Sequence, residues 1–160
     1  MSKRLIATAA GVLAIALIAA GCGSSSDNST DSTASLTKAE FVKQGNAICA
    51  TGNKQIEAGF ESFGKEHHLS ENTQPTEAQA AELAETVLVP AVTTQIEGIR
   101  ALGAPSGEED QVNAILEAAE EGVEKAEEDP NALFSSNGEN AFGEANELSR
   151  EYGLTTCGEE

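Results

Sequence analysis

The chain has 160 residues and a formal charge of −18, from 27 acidic against 9 basic side chains, with no Trp, one Tyr and two His. A body this acidic lacks the basic face that nucleic acid or an anionic lipid surface requires, so neither is expected as an electrostatic partner. The length bounds the fold to one small domain, and the residue types that build most catalytic sites are scarce.

Lys3 and Arg4 precede an apolar run from Leu5 to Ala20 that closes on Gly21-Cys22. A short positive segment, an apolar core and small residues before a cut are the marks of a secretory signal. A retained membrane helix is the lesser reading, because the run falls just short of a bilayer span. The Gly21-Cys22 ending resembles the lipobox of bacterial lipoproteins. That resemblance implies cleavage before Cys22 and a diacylglycerol on its thiol, with acyl chains of the palmitate kind. Residues 1–21 are then a removed signal, and the protein is expected on the extracytoplasmic face of the cell membrane, held by lipid at Cys22. Residues 22–35 follow as a Ser/Thr-rich tether, whose average reach is about 20 Å if it behaves as a flexible coil. Without Lys3 and Arg4 the charge becomes −20. The acidic domain proper is 36–160.

With Cys22 acylated, Cys49 and Cys157 remain, in a compartment where disulfides persist. They are expected to pair. Closing a loop of about 100 residues stabilises a fold by roughly 4–5 kcal/mol on the chain-entropy account. The chain has no Cys-x-x-Cys, so a thioredoxin-like centre and a Cys-rich zinc site are unsupported.

Leu36-Thr37-Lys38-Ala39-Glu40-Phe41 predicts a helix start, with a Thr37–Glu40 capping box and Leu36 stapled to Phe41. Phe41, Gly45, Ile48, Gly52, Ile56, Phe60 and Phe63 then recur at helical spacing as one apolar face, with Cys49 at its border. Gly45, Gly52 and Gly59 repeat every seven residues, either to admit a close neighbour or as weak points in the helix. A polar connection from Gly64 to Thr76 carries both His. Thr76 with Gln79 predicts the second start, and the stripe continues across Pro90, as one kinked helix or two short ones.

Gly103-Ala104-Pro105 stops that helix, and Ser106 with Glu109 predicts the next cap. Val112, Ile115, Leu116, Ala119, Val123 and Ala126 mark its buried side, while six Glu between 117 and 128 load the rest. After Asp129-Pro130 a short turn is expected to bring Leu133 and Phe134 into the core. Ser136 with Glu139 predicts a last cap, and Ala141, Phe142, Ala145, Leu148 and Tyr152 the last helix, closed by Gly153 with Leu154 folded back. The fold class predicted is all-α: an up-and-down bundle of about four helices, the second kinked at Pro90, with its two ends joined by Cys49–Cys157.

Phe41 to Cys49, Leu88-Val89-Pro90, Ile99 to Pro105 and Tyr152 to Gly158, taken together, resemble small exported lipoproteins of actinobacteria. The likeness covers about 36–158. It implies a helical lipoprotein with a Cys49–Cys157 bond and implies no reaction.

The chemistry-bearing residues give weak candidates. Neither His67 nor His68 has the Glu three positions before it that a di-iron bundle uses, so His67, His68 and Glu71 offer at most a loosely held metal. The Glu-rich face lacks the calcium-loop spacing and reads as solvated. No Gly-x-Ser-x-Gly elbow or phosphate loop occurs, and aromatics to stack a sugar are few. An enzyme is therefore not expected, nor a cofactor. The leading expectation is a protein-interaction or envelope-associated module acting through Phe60 and Phe63, and a bland spacer is a further reading. The alternative is a small-ligand- or cation-binding module with a pocket near the Pro90 kink, lined by Val89, Val92 and Phe142.

Overall fold

A computed structural model describes residues 35–70, 73–134 and 140–159, apart from the side chain of Phe134. The signal, Cys22, nearly all of the tether, Glu71 and the Ser136–Glu139 pair lie outside the described residues.

Helix α1 (Lys38–Glu66) begins where its capping residues dictate. The Glu40 amide donates to Thr37 Oγ1 at 3.3 Å and the Thr37 amide to Glu40 Oε2 at 3.0 Å. Leu36 packs against the core that encloses Phe41. The helix ends as the His67 amide donates to the Phe63 carbonyl, and His68 turns the chain at φ 54°.

Helix α2 (Glu77–Leu83) starts with the same device, Thr76 and Gln79. A π-helical turn (Ala84–Leu88) and α3 (Val89–Leu102) follow without a break, because the residues at both junctions keep right-handed helical dihedrals. Residues 77–102 are thus one irregular rod. The irregularity comes ahead of Pro90: the proline supplies no amide and its ring crowds the carbonyl four residues back. Widening the preceding turn, so that the Val89 amide reaches the Ala84 carbonyl, accommodates that ring without ending the helix.

Gly103, at φ 70°, ends α3, and α4 (Glu109–Glu128) starts after a turn at Gly107, at φ 83°. The predicted Ser106–Glu109 box does not form. Glu108 is the N-cap residue and α4 has no side-chain cap; the Ser106 hydroxyl instead pairs with that of Ser35 at 2.8 Å. Val112, Ile115, Leu116 and Ala126 are buried as predicted, whereas Ala119 and Val123 are half-buried and Ala118 and Gly122 join the interior. The six Glu of the opposite face are exposed.

A 3-10 turn (Pro130–Phe134) follows, with Leu133 half-buried. The last helix, α5 (Gly143–Tyr152), starts later than predicted, so Ala141 and Phe142 precede it. Asn140 explains the delay, because its side-chain oxygen accepts from the Phe142 amide at 2.9 Å and holds a turn there. At the far end Gly153 is left-handed at φ 109°. The Leu154 amide donates to the Ser149 carbonyl and the Gly153 amide to that of Arg150, which closes the helix as a Schellman motif.

The described residues form an all-helical bundle of four rods: α1, 77–102, α4 and α5. α1 packs on α3, α3 on α4, and α4 on α5. Phe41, Ile96, Ile99, Ile115, Leu116 and Tyr152 share the core, where Phe41 meets Tyr152 edge to face at 5.9 Å. The chain then returns to α1. Cys49 and Cys157 form a disulfide with their Cα atoms 5.0 Å apart. Two asparagines that no sequence signal marked add to it. Asn46 donates to the Gly153 carbonyl and accepts from the Thr156 amide, at 3.2 and 2.9 Å, and Asn53 donates to the Thr156 carbonyl at 3.1 Å.

Candidate functional site

The rods differ in length, and that difference opens the interior. At 1.5 Å per residue α1 extends about 43 Å and α5 only about 15 Å, so the fourth rod covers a fraction of the surface that α1 and α3 present. The remainder is bordered by the 3-10 turn, by Phe142 and by the C-terminal strap. Between them lies a cavity of about 520 Å³, within the range of small-molecule sites.

Each wall follows from helical spacing. α1 contributes Cys49, Asn53, Ile56 and Phe60, which fall on one stripe at intervals of three and four. The facing rod contributes Leu88, Val92, Gln95, Ile96 and Ile99 at the same intervals. Ile115, Leu116 and Ala119 of α4 form a third wall, and Leu133, Phe142 and Ala145 with the Cys157 side chain line the rest of a half-open hollow. The lining is predominantly aliphatic, aromatic and disulfide sulfur.

Its polar groups are few. Ser149 is buried at 3% exposure, and Asn53, Asn140 and Asn146 also reach the lining. Gln95 is buried at 8% exposure, and its Nε2 has no hydrogen-bond partner. Glu57 and Glu159 are the charged lining residues among those described, and both are exposed, as is Phe60. These three mark the mouth.

The predicted site residues separate on this map. Val92 and Phe142 line the cavity as expected, but Val89 does not; it is half-buried elsewhere on the rod. The expected Phe60–Phe63 surface patch is not formed, because Phe63 is 7% exposed and stacks on His67 with ring centroids 4.1 Å apart. Phe60 is the exposed member. Beside Pro90 there is a second, smaller hollow of about 250 Å³, lined by Gln55, Gly59, Thr86, Val87 and neighbouring residues, shallow and separate from the cavity. His67 Nε2 lies 3.5 Å from Glu82 Oε2, and His68 is exposed in the following turn. No group of three or more His, Cys, Asp or Glu among the described residues is placed to hold a metal ion.

The perturbed titratable groups sit away from the cavity, where α1 and α4 begin. Lys38 Nζ is 3.0 Å from Glu108 Oε2 and 4.2 Å above the Tyr152 ring. The nearby Tyr152 hydroxyl, then Lys38, hold the Glu108 carboxyl below the usual carboxylate range. Burial, and next the Glu108 carboxylate, push the Tyr152 phenol upward, although that hydroxyl lacks a well-aligned acceptor. Glu40 is held low by its hydrogen bonds with Thr37. These are structural shifts at helix ends and they place no acid or base in the cavity.

No helix among the described residues is long and apolar enough to cross a membrane. No protein family matches the chain, and no curated protein or solved structure matches it.

Proposed function

We infer that this chain is a lipid-anchored, extracytoplasmic module that binds a small apolar molecule within its helical bundle, without acting on it chemically. The observation that carries the reading is the cavity of about 520 Å³ between α1, α3, α4 and α5, walled by apolar side chains and entered beside Phe60. A half-open apolar hollow of this size is costly for a small domain, because its wall atoms are left facing water and without packing partners. A ligand with a matching apolar body restores those contacts.

The anchor rests on the sequence: Lys3-Arg4, the apolar run to Ala20 and the lipobox-like Gly21-Cys22. Membrane attachment at Cys22 suits such cargo, since apolar molecules partition into the bilayer and a tether of about 20 Å reach keeps the cavity near that store. The protein-interaction reading through Phe60 and Phe63 is less well supported, because Phe63 is committed to the interior.

The test is mass spectrometry of the protein isolated from its own membrane. A diacylglycerol mass on Cys22 and an apolar molecule in the organic extract, present in proportion to protein, support the reading. An unmodified Cys22 removes the anchor, and an extract with no bound molecule removes the ligand.

A further inference from the structure

The three residues at the mouth select the head group that an apolar molecule in the hollow carries, a role that rests on the hollow being a binding site. Glu57 and Phe60 stand three positions apart on α1 and so share a face of that helix. Both line the opening and both are exposed, Phe60 at 36%. Glu159, on the segment after α5, lines the same opening. Neither carboxylate has an ion-pair partner among the described residues. The nearest cations along the chain do not line the hollow: Lys54 is exposed one turn before Glu57, and Arg150 donates to the Gly158 carbonyl at 2.7 Å.

An apolar body seated among these walls leaves a polar head at the mouth. An ammonium there keeps part of its hydration, meets two carboxylates and is attracted by the negative face of an exposed phenyl ring. A carboxylate head meets like charge and no Lys or Arg among the described lining residues, on a chain whose net charge of −18 already repels it. An uncharged head gains from neither carboxylate. We propose that the hollow takes a cationic amphiphile, with an alkyl or aromatic body between α1, α3, α4 and α5 and an ammonium at the mouth, held by Glu57, Glu159 and the Phe60 ring. It discriminates against anions that have the same body.

The test is displacement of the neutral fluorescent probe N-phenyl-1-naphthylamine from the mature chain carrying Cys22→Ser, at neutral pH and low salt, by decylamine and by decanoate. Decylamine is expected to displace the probe at a concentration about tenfold below that of decanoate, and the margin to shrink severalfold at about 1 M salt. Glu57→Gln with Glu159→Gln is expected to cut the margin to about threefold or less, and Phe60→Leu to lower it about twofold. Glu117→Gln with Glu124→Gln removes the same charge from the exposed face of α4 and is expected to leave the margin in place. Decanoate equal to or better than decylamine overturns the proposal while the cavity reading stands. So does a margin that Glu57→Gln with Glu159→Gln leaves intact, or one that both double variants reduce alike. Failure of the probe to bind at all overturns the cavity reading itself.

Discussion

Gln95 of α3 occupies the space that Gly52 of α1 leaves open, so close that a Cβ at Gly52 would overlap its carboxamide. Leu154 stands over Gly45 and Val87 over Gly59 in the same manner. The three glycines spaced by seven are a row of sockets along α1, each filled by a different part of the chain. Gly45→Ala, Gly52→Ala and Gly59→Ala are therefore expected to destabilise the fold by about 1–3 kcal/mol each, through overpacking. At Gly64 a Cβ would meet nothing within 4 Å, and Gly64→Ala is expected to stabilise by about 0.5 kcal/mol. Urea unfolding of the four variants checks the contrast in sign.

The Cys49–Cys157 bond closes a separation of 108 residues and ties the segment after α5 to α1. Reduction, or Cys49→Ser with Cys157→Ser, is expected to lower stability by about 4–5 kcal/mol. Urea midpoints measured with and without reductant report it, and coincident midpoints would show that the Asn46 and Asn53 hydrogen bonds hold the strap alone.

Stability should fall on both sides of neutrality, for separate reasons. Glu108 and Glu40 have folded pKa values below the unfolded value of 4.5, so their contribution is present above that value. It is lost as pH falls through the lower folded values. Tyr152 is shifted upward from 10.0, so the unfolded chain ionises first and stability declines as pH rises past that point. Thermal melts across pH should show a plateau between these limits. Glu108→Gln should flatten the acid limb and Tyr152→Phe the alkaline one.

Gln95→Met removes a buried amide that lacks a partner and retains the volume over Gly52. In the ligand-free protein it is expected to raise stability by about 1 kcal/mol. A higher melting temperature would show that the unpartnered amide over Gly52 costs the fold stability. A lower melting temperature would show that the amide has a structural role.

Local signals in the sequence were legible where one or two side chains settle the matter. The boxes at Thr37–Glu40 and Thr76–Gln79 and the closure at Gly153 needed only neighbours within one turn. Ser106–Glu109 has the same lettering, yet the helix start moved to Glu108, whose carboxylate is held by Lys38 from another helix. Pro90 disclosed an irregularity, which falls one turn ahead of the proline, while the form it takes, a π turn at Ala84–Leu88, depends on the rod being packed on both sides. Cys49–Cys157 followed from counting. The cavity did not, because periodicity tells which side chains face inward and says nothing about whether they fill the space between rods of unequal length. Val92 and Phe142 were foreseeable as inward residues, whereas Gln95 stood out only once its burial and missing partner were visible.

Whether the bundle encloses a site for an apolar molecule is decided by fluorescence titration with N-phenyl-1-naphthylamine. The unmutated mature chain is compared with Ala119→Phe, a change on the half-buried α4 wall that places a ring in the cavity. Saturable binding of one probe per chain, lost in Ala119→Phe while its helical circular dichroism is retained, is the expected outcome. Absence of saturable binding to the folded protein, or binding that Ala119→Phe leaves unchanged, would refute the cavity as a binding site.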